Sequence, residues 1–261
     1  MENNGGSSWR ELQTVRTAVA VIDALAEMDG AGVTELADRL ECSKSSVHAQ
    51  LSTLEAAGYL MRDGTDYRLS YHLALLGEHV RNTDPLVKFG RDQADFLAEE
   101  TGHYSHLFVE RDGLGVNIYQ ARGDVASDYE YQSLKLQRKE PLHITATGKA
   151  VLTQLSDDEI DTIVDEHGLT GRTAHTITDR ETLFKRIETG RERGFTINDE
   201  EEIEGFRAVA APVRVEGGTV LGSISVAAPK AFFDADRFEE TIPELVVRAA
   251  NMIEVQYNRS Q

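Results

Sequence analysis

The sequence has 261 residues, a formal net charge of −18 and an apolar fraction of 40%. This length suits one large or two modest domains, and the apolar fraction is enough to fill a core. So negative a chain argues against nucleic acid and anionic membranes as partners. The basic residues are 20 Arg and only 7 Lys. An acidic, Lys-poor composition favours a protein adapted to molar salt, as in a halophilic archaeon, over an ordinary acidic protein.

The N-terminal residues, the cysteine content and the lengths of the apolar runs exclude further classes of protein and of site. Residues 1–8 are rich in Asn, Gly and Ser, which predicts a disordered lead-in and not a signal peptide. The single Cys42 excludes an internal disulfide and an all-thiolate metal site. No window approaches 18 apolar residues, so we expect no membrane contact and a cytoplasmic location.

The N-terminal quarter predicts a compact arrangement of helices followed by a hairpin. In chain order, the predicted elements are helices over 12–28, 35–40 (with Thr34 as N-cap) and 43–57 (with Ser43 as N-cap), then strands over 59–62 and 67–69. This order is typical of a winged helix-turn-helix domain, assigned to residues 9–72. A helical hairpin with a β-ribbon used for protein contacts is the alternative.

The rest of the chain predicts a linker helix, over 73–84 by domain assignment, and an α+β domain over 85–261. Its predicted strands are 103–110, 114–121, 129–137, 195–198, 207–215 and 220–227. Its predicted helices are 85–100, 146–154, two opened by capping boxes at Ser156 and Thr178, and 235–257, kinked or divided at Pro243.

The third helix and the hairpin offer candidate DNA contacts. The candidates are Thr34, Ser43, Lys44, Ser45, Ser46, His48, Ala49, Ser52, Thr53, Arg62 and Arg68. Short hydroxyls can approach base edges, and amides at a helix N-terminus bind phosphate. A solvated helix face is the alternative, because residues 9–72 hold only six basic against ten acidic residues. At 1 M salt, however, the screening length is only ~3 Å, which weakens this objection.

Motifs that suggest catalysis are incomplete. The pair Gly148-Lys149 lacks the earlier Gly and the following Ser or Thr of a phosphate-binding loop. His103 and His106, three apart on a predicted strand, face opposite sides. The acidic run over 199–202 is better read as a solvated or backbone-held loop than as a metal site. We therefore expect no catalytic residues, metal or cofactor.

Several segments resemble the IclR-type transcriptional regulators. Residues 141–152 (PLHITATGKAVL), 199–213 (DEEEIEGFRAVAAPV) and 222–229 (GSISVAAP) resemble that family's effector-domain signatures. Residues 44–48 (KSSVH), 54–59 (LEAAGY) and 62–69 (RDGTDYRL) are similar to its recognition helix and wing. The resemblance covers residues 10–258.

The resemblance implies that the N-terminal domain binds operator DNA and that a GAF-like C-terminal domain binds a small metabolite. The effector would be an organic acid, a sugar derivative or an aromatic, and the chain would form a homodimer or tetramer. By motif position, the implied effector contacts are Ala146, Thr147, Gly148, Asn198, Asp199, Ala208, Ser225 and Ala227.

Three positions depart from the family pattern. Ala208 and Ala227 replace a Cys and a Ser of several small-acid sensors, which argues against a glyoxylate- or pyruvate-like ligand. Ala49 replaces an Arg that commonly follows this His, so the operator should differ.

Three functions remain open on sequence grounds. The leading one is a ligand-responsive, sequence-specific DNA-binding regulator. The second is a metabolite sensor that acts through protein contacts, its winged helix no longer binding DNA. The third, an enzyme on the C-terminal domain, is disfavoured because no nucleophile–base pair occurs.

Overall fold

The structure, a computed structural model, describes residues 11–126, 135–234 and 236–261. They form two compact units that divide between Val80 and Arg81. The helices are α1 (Gln13–Met28), α2 (Val33–Arg39), α3 (Lys44–Ala56), α4 (Tyr71–Thr83), α5 (Pro85–Thr101), α6 (Ala146–Leu152), α7 (Asp157–His167), α8 (Arg180–Arg193) and α9 (Ile242–Asn258). The strands are β1 (Leu60–Asp63), β2 (Asp66–Leu69), β3 (Tyr104–Arg111), β4 (Leu114–Arg122), β5 (Lys139–Pro141), β6 (Thr196–Asp199), β7 (Phe206–Arg214) and β8 (Val220–Pro229).

The N-terminal unit is the predicted winged helix-turn-helix. Helices α1, α2 and α3 bury one apolar face each, and Tyr67 of β2 closes their shared core. Ser43 caps α3 as predicted, its hydroxyl accepting from the Ser46 amide at 3.2 Å. The predicted cap of α2 is wrong, because Gly32 and not Thr34 precedes the helix. Glu35 reaches back to the Gly32 amide at 3.1 Å, so the helix begins at Val33.

The C-terminal unit is the predicted α+β domain. In the described part of this unit, the antiparallel sheet has six strands in the order β5-β4-β3-β8-β7-β6. Helices α5 and α9 cover one face, where they bury the main apolar core. Helix α6 covers the opposite face, packing Ala146 and Ala150 directly on three alanines of β7 and β8. The small side chains allow this close approach, which leaves α6 beside the middle of the sheet.

Two predicted elements differ from the structure, and one strand was not predicted. The strand expected over 129–137 falls largely outside the described residues, and Lys135–Gln137 form a single 3-10 turn. The short strand β5 was not predicted. Helix α8 is capped by Asp179, which accepts from the Thr182 amide at 2.9 Å. The capping box predicted to begin at Thr178 is therefore wrong. The last helix is divided, as Pro243 suggested: a π-helical turn over Arg237–Thr241 precedes α9.

Among the described residues, no helix has the length and apolarity needed to cross a membrane.

Candidate nucleic-acid interface and effector site

Helix α3 has one buried and one exposed face. Val47 and Leu51 are fully buried against the other helices of the N-terminal unit. The candidate DNA contacts lie on the remaining surface: Lys44, Ser45, His48, Ala49 and Thr53 are exposed, and Ser46 and Ser52 are half-buried. The exposed side chains are short, so a ligand surface could approach the helix backbone closely. Thr34 is also exposed, within the first turn of α2.

The wing arginines are both engaged by carboxylates. The Arg62 guanidinium lies 4.8 Å from the Tyr67 ring centroid, donates to the Tyr67 hydroxyl, and stands 3.7 Å from Glu55. Arg68 lies 3.4 Å from Asp29 and 3.4 Å from Asp63. These pairs are solvent-exposed and therefore weak, so either arginine could exchange its carboxylate for a phosphate.

Lys44 differs from the other cations of the N-terminal unit. Arg16 and Arg39 are also paired with carboxylates, each at 2.9 Å. Within the described residues 11–80, Lys44 is the one Lys or Arg with no carboxylate within 4.0 Å. It begins α3, where the helix dipole and unpaired amides already favour an anion. Among these described residues, the unneutralised positive charge of Lys and Arg side chains thus lies at one end of the exposed helix.

Most of the effector candidates come together between α6 and the sheet. In the β-ladder, Asn198, Ala208, Ala227 and Tyr104 form one row across β6, β7, β8 and β3. The adjacent row contains Thr196, Ala210, Ser225 and His106 in the same strand order. Ala146, Thr147 and Gly148 of α6 lie against these rows. All these residues are buried.

Hydrogen bonds hold α6 in place on this face. The Thr145 hydroxyl caps the helix by accepting from the Gly148 amide at 2.8 Å. Thr196 donates to the Ala146 carbonyl at 2.7 Å, and Ser223 donates to the Thr147 carbonyl at 3.0 Å. A Cβ atom at Gly148 would lie 2.2 Å from the Leu142 carbonyl oxygen, so this position requires glycine. The turn is therefore rigidly placed before any ligand binds.

The candidate polar groups are not equally available to a ligand. The Asn198 amide donates to the Ile144 carbonyl at 3.0 Å and accepts from the Glu201 amide at 2.9 Å, so both ends are used. By contrast, none of the hydrogen bonds within the described part of the chain engages the Ser225 hydroxyl. Asp199 lies on the opposite face of the sheet, where it binds the Arg207 guanidinium at 2.7 Å. The structure thus separates Asp199 from the other candidates.

Two buried ion pairs flank this site, and the sequence reasoning missed both. Lys149 of α6 is fully buried and bonds to Glu201, while Lys135 lies 2.9 Å from Glu202. Burial lowers the pKa of Lys149, and the neighbouring Glu201 carboxylate opposes that shift. The expectation of a solvated acidic run is wrong for Glu201 and Glu202, which are both buried. A lysine inside the small, apolar segment 146–152 was the signal that a buried carboxylate partner existed.

The acidic run is also tied down through its main chain. The hydroxyls of Thr173 and Thr176 donate to the carbonyls of Glu200 and Glu201, at 2.8 and 2.6 Å respectively. The expectation of a loop held by backbone contacts is therefore correct in part. No cluster of three potential metal ligands occurs among the described residues. Beside α6, this run acts as a structural support.

Burial also affects two histidines of the C-terminal unit. Desolvation lowers the pKa of His143, although a hydrogen bond to the Thr170 carbonyl opposes the shift. The pKa of His103 is lowered by burial and by the nearby Arg237 guanidinium. Both side chains are therefore neutral at pH 7.

Comparison with known proteins identifies both units. A family model described as "IclR helix-turn-helix domain" matches residues 14–64, and one described as "Bacterial transcriptional regulator IclR C-terminal" matches residues 84–255. A probable HTH-type transcriptional regulator ArcR of Halobacterium salinarum is 34% identical over 254 residues, covering 97% of this chain and 96% of its own.

Two solved structures are similar in fold. An IclR transcriptional regulator from Alicyclobacillus acidocaldarius has a TM-score of 0.81 at 22% identity, covering 95% of this chain and 100% of its own. An IclR homologue from Microbacterium hydrocarbonoxydans, complexed with 4-hydroxybenzoate, has a TM-score of 0.75 at 18% identity, covering 94% and 100%. With family models on both units and a full-length relative from a halophile, the chain belongs to the IclR family of HTH-type transcriptional regulators.

Proposed function

We propose that this chain is a sequence-specific DNA-binding regulator of the cytoplasm whose operator affinity is modulated by a small molecule bound in the C-terminal unit. The observation that carries the DNA-binding role is the exposed face of α3 with Lys44 at its start. That face combines hydroxyls, an imidazole, helix N-terminal amides and the one unpaired cation of the described N-terminal unit. Such a set suits a phosphate contact at the helix start and base-edge contacts along the major groove.

The charge distribution is consistent with DNA binding in concentrated salt. Remote acidic side chains repel phosphate little when the screening length is ~3 Å, as in 1 M salt. Contacts that act over short distances remain, namely hydrogen bonds, shape fit and the local field at Lys44. The relative from Halobacterium supports salt as the environment in which this balance applies.

The DNA-binding role is tested by charge reversal at Lys44. In molar KCl, footprinting on DNA upstream of this gene and its neighbours should show protection by the wild type and loss of protection by Lys44→Glu. Lys185→Glu is the matched control, because Lys185 is exposed on α8 in the other unit. Protection that survives Lys44→Glu unchanged, or no protection by the wild type, would favour the alternative in which the winged helix contacts proteins.

The effector site is proposed beside the N-terminal turn of α6, on the sheet face that this helix partly covers. Its supports are the burial of Ala146, Thr147 and Gly148 against the sheet and the uncommitted Ser225 hydroxyl beside them. Asn198, Ala208 and Ala227 complete the proposed wall. Because positions 208 and 227 are both Ala, we propose a ligand with an apolar body and a polar group directed to Ser225, such as an aromatic acid. The fold neighbour complexed with 4-hydroxybenzoate makes that compound a rational first probe.

Ser223 and Ser225, two residues apart on β8, allow a direct test of the proposed effector site. Ser225→Ala should leave the melting temperature of the unliganded protein nearly unchanged and reduce the shift produced by the best compound in a panel of aromatic and aliphatic acids. Ser223→Ala should instead lower the unliganded melting temperature, because Ser223 is bonded to the Thr147 carbonyl. Equal ligand-induced shifts in wild type and Ser225→Ala would contradict the proposed position of the ligand.

Assembly into at least a homodimer is proposed from apolar side chains left in solvent. Tyr71, Leu75 and Val80 of α4 are 82%, 69% and 67% exposed, and α1 exposes Val15 and Val19. A second copy of the same surface would bury them about a two-fold axis. The mass in solution should therefore be at least that of two chains, and Leu75→Lys should halve it. A wild-type mass of one chain would exclude the homodimer.

A further inference from the structure

A strip of short side chains runs along the centre of the exposed face of α3. Val47 and Leu51 bury the opposite side of the helix. At about 100° of turn per residue, Ser45, Ala49 and Ala56 lie farthest from that buried side, and all three are exposed. No side chain of this strip extends beyond a γ atom, so the helix backbone itself can come close to the floor of a major groove.

The hydroxyl groups around Ala49 carry little information about the base they meet. The Thr53 hydroxyl donates to the Ala49 carbonyl at 2.8 Å, so its proton is used inside the helix. The Ser45 hydroxyl lies 3.1 Å from the Ser43 hydroxyl, which caps α3 by accepting from the Ser46 amide. A hydroxyl can in addition donate to or accept from any base edge. Discrimination between bases therefore needs another kind of contact.

The side chains that could make paired hydrogen bonds to a purine lie away from the strip. Helix α3 contains neither Arg nor Asn, and its one Gln, Gln50, is half-buried on the core side of the helix. Lys44 stands at the helix start, where it suits a phosphate. His48 flanks the strip, but its two ring nitrogens diverge and cannot bond to one purine edge together. The centre of the strip thus has no two-point partner for guanine or adenine.

We propose that Ala49 is a specificity-determining residue whose methyl group contacts the 5-methyl group of a thymine in each operator half-site. In the major groove, thymine is the base that presents a methyl group, and an alanine side chain is a suitable apolar partner for it. A G·C pair at the same place would set polar edge groups against Ala49 without hydrogen bonds. Ala49 is chosen over Ala56 because the N-terminal part of a recognition helix contacts the base edges.

This contact rests on the proposed DNA-binding role and names the base pair that the role would require. Neither methyl group is charged, so molar salt does not screen the contact. The contact is therefore compatible with the negative charge of the whole chain.

The test uses duplexes that contain the sequence protected by the wild type in footprinting. Each thymine is replaced in turn by 2′-deoxyuridine, which lacks the 5-methyl group and keeps the same base pairing. Affinities are measured by fluorescence anisotropy in molar KCl. The wild type should bind about fourfold more weakly when the contacted thymine of one half-site is replaced, which is the effect of one buried methyl group.

The variant Ala49→Gly removes the other methyl group of the pair. It should bind the thymine and deoxyuridine duplexes equally at that position. Both affinities are measured with the same variant, so a loss of helix stability cancels from their ratio. Ala56→Gly is the matched control, an exposed alanine of the same strip, and should keep the fourfold ratio there. Circular dichroism of each variant verifies folding.

The possible results separate this contact from the DNA-binding role. A wild type that tolerates every deoxyuridine substitution overturns the thymine contact and leaves the DNA-binding role intact. The same conclusion follows if Ala49→Gly keeps the wild-type ratio, or if Ala56→Gly abolishes it. A wild type that protects no DNA rejects the DNA-binding role and the thymine contact with it.

Discussion

Replacing Lys149 by Met should destabilise the C-terminal unit by about 3–5 kcal/mol, because the Glu201 carboxylate would remain buried without its cation. The Lys149 side chain is 0% exposed and that of Glu201 is 4% exposed, so water can replace neither partner. For a unit of this size, each kcal/mol lowers the melting temperature by about 2–4 °C, which predicts a decrease of about 6–20 °C.

The destabilisation caused by the reciprocal variant, Glu201→Gln, has an upper limit. In that variant, Lys149 can avoid a buried charge by losing its proton. Moving its pKa from 10.5 to a working pH of 7 costs at most about 5 kcal/mol, from 1.36 kcal/mol per pKa unit. Replacing both partners by apolar residues, as Lys149→Met with Glu201→Leu, should recover most of the lost stability, because no unpaired charge is then buried.

Urea unfolding in molar KCl, followed by far-UV circular dichroism, measures these free energies. Lys185→Met is the matched control: Lys185 and Glu181 also form a Lys–Glu pair, but their side chains are 73% and 79% exposed. That control should change the unfolding free energy little. A loss below about 1 kcal/mol in Lys149→Met, or a double variant no more stable than the single one, would refute the reasoning.

Two further predictions concern the same unit. Because burial lowers the folded-state pKa of His103 and His143, the unfolded chain binds protons first as the pH falls below about 6.5; stability should therefore decrease from pH 7.5 to pH 5.5, and less so in His143→Gln. Thermal melts across that range test this, and a flat profile would contradict it. Gly148→Ala should cost about 1–3 kcal/mol, since its Cβ would meet a carbonyl oxygen. Gly77→Ala, a control in the part of α4 that belongs to the N-terminal unit, has nothing within 4 Å of its Cβ and should instead stabilise by about 1 kcal/mol, so loss of stability there would count against the argument.

Sequence periodicity predicted most helices and strands because each buries one face against the rest of its unit. The caps were harder to predict. Several polar residues stand at the starts of the second and eighth helices, and each could be the cap. Only the structure shows that the Glu35 side chain reaches the Gly32 amide and that Asp179 accepts from the Thr182 amide. Strand β5 escaped prediction because three residues that include Lys139 and Pro141 have little intrinsic strand tendency.

The candidate sites could be predicted where the residues that form them are close together in the sequence. The exposed face of α3 follows from helical spacing alone. The separation of Asn198 from Asp199 follows from alternation along β6, once the face that α6 covers is known. The Lys149–Glu201 pair spans 52 residues and depends on how α6 meets the loop after β6, which no local pattern encodes.

The salt dependence of operator binding tests the central claim most directly. Each phosphate neutralised contributes about −0.9 to the slope of log affinity against log salt concentration. Arg62 and Arg68 would each release a carboxylate for every phosphate they bind, so Lys44 is the cation of the described N-terminal unit that adds net neutralisation. A dimer on its operator should therefore show a slope of about −2. Lys44→Ala should bring the slope close to zero. A wild-type slope steeper than about −5, as in repressors that neutralise many phosphates, would contradict an interface built on short-range contacts.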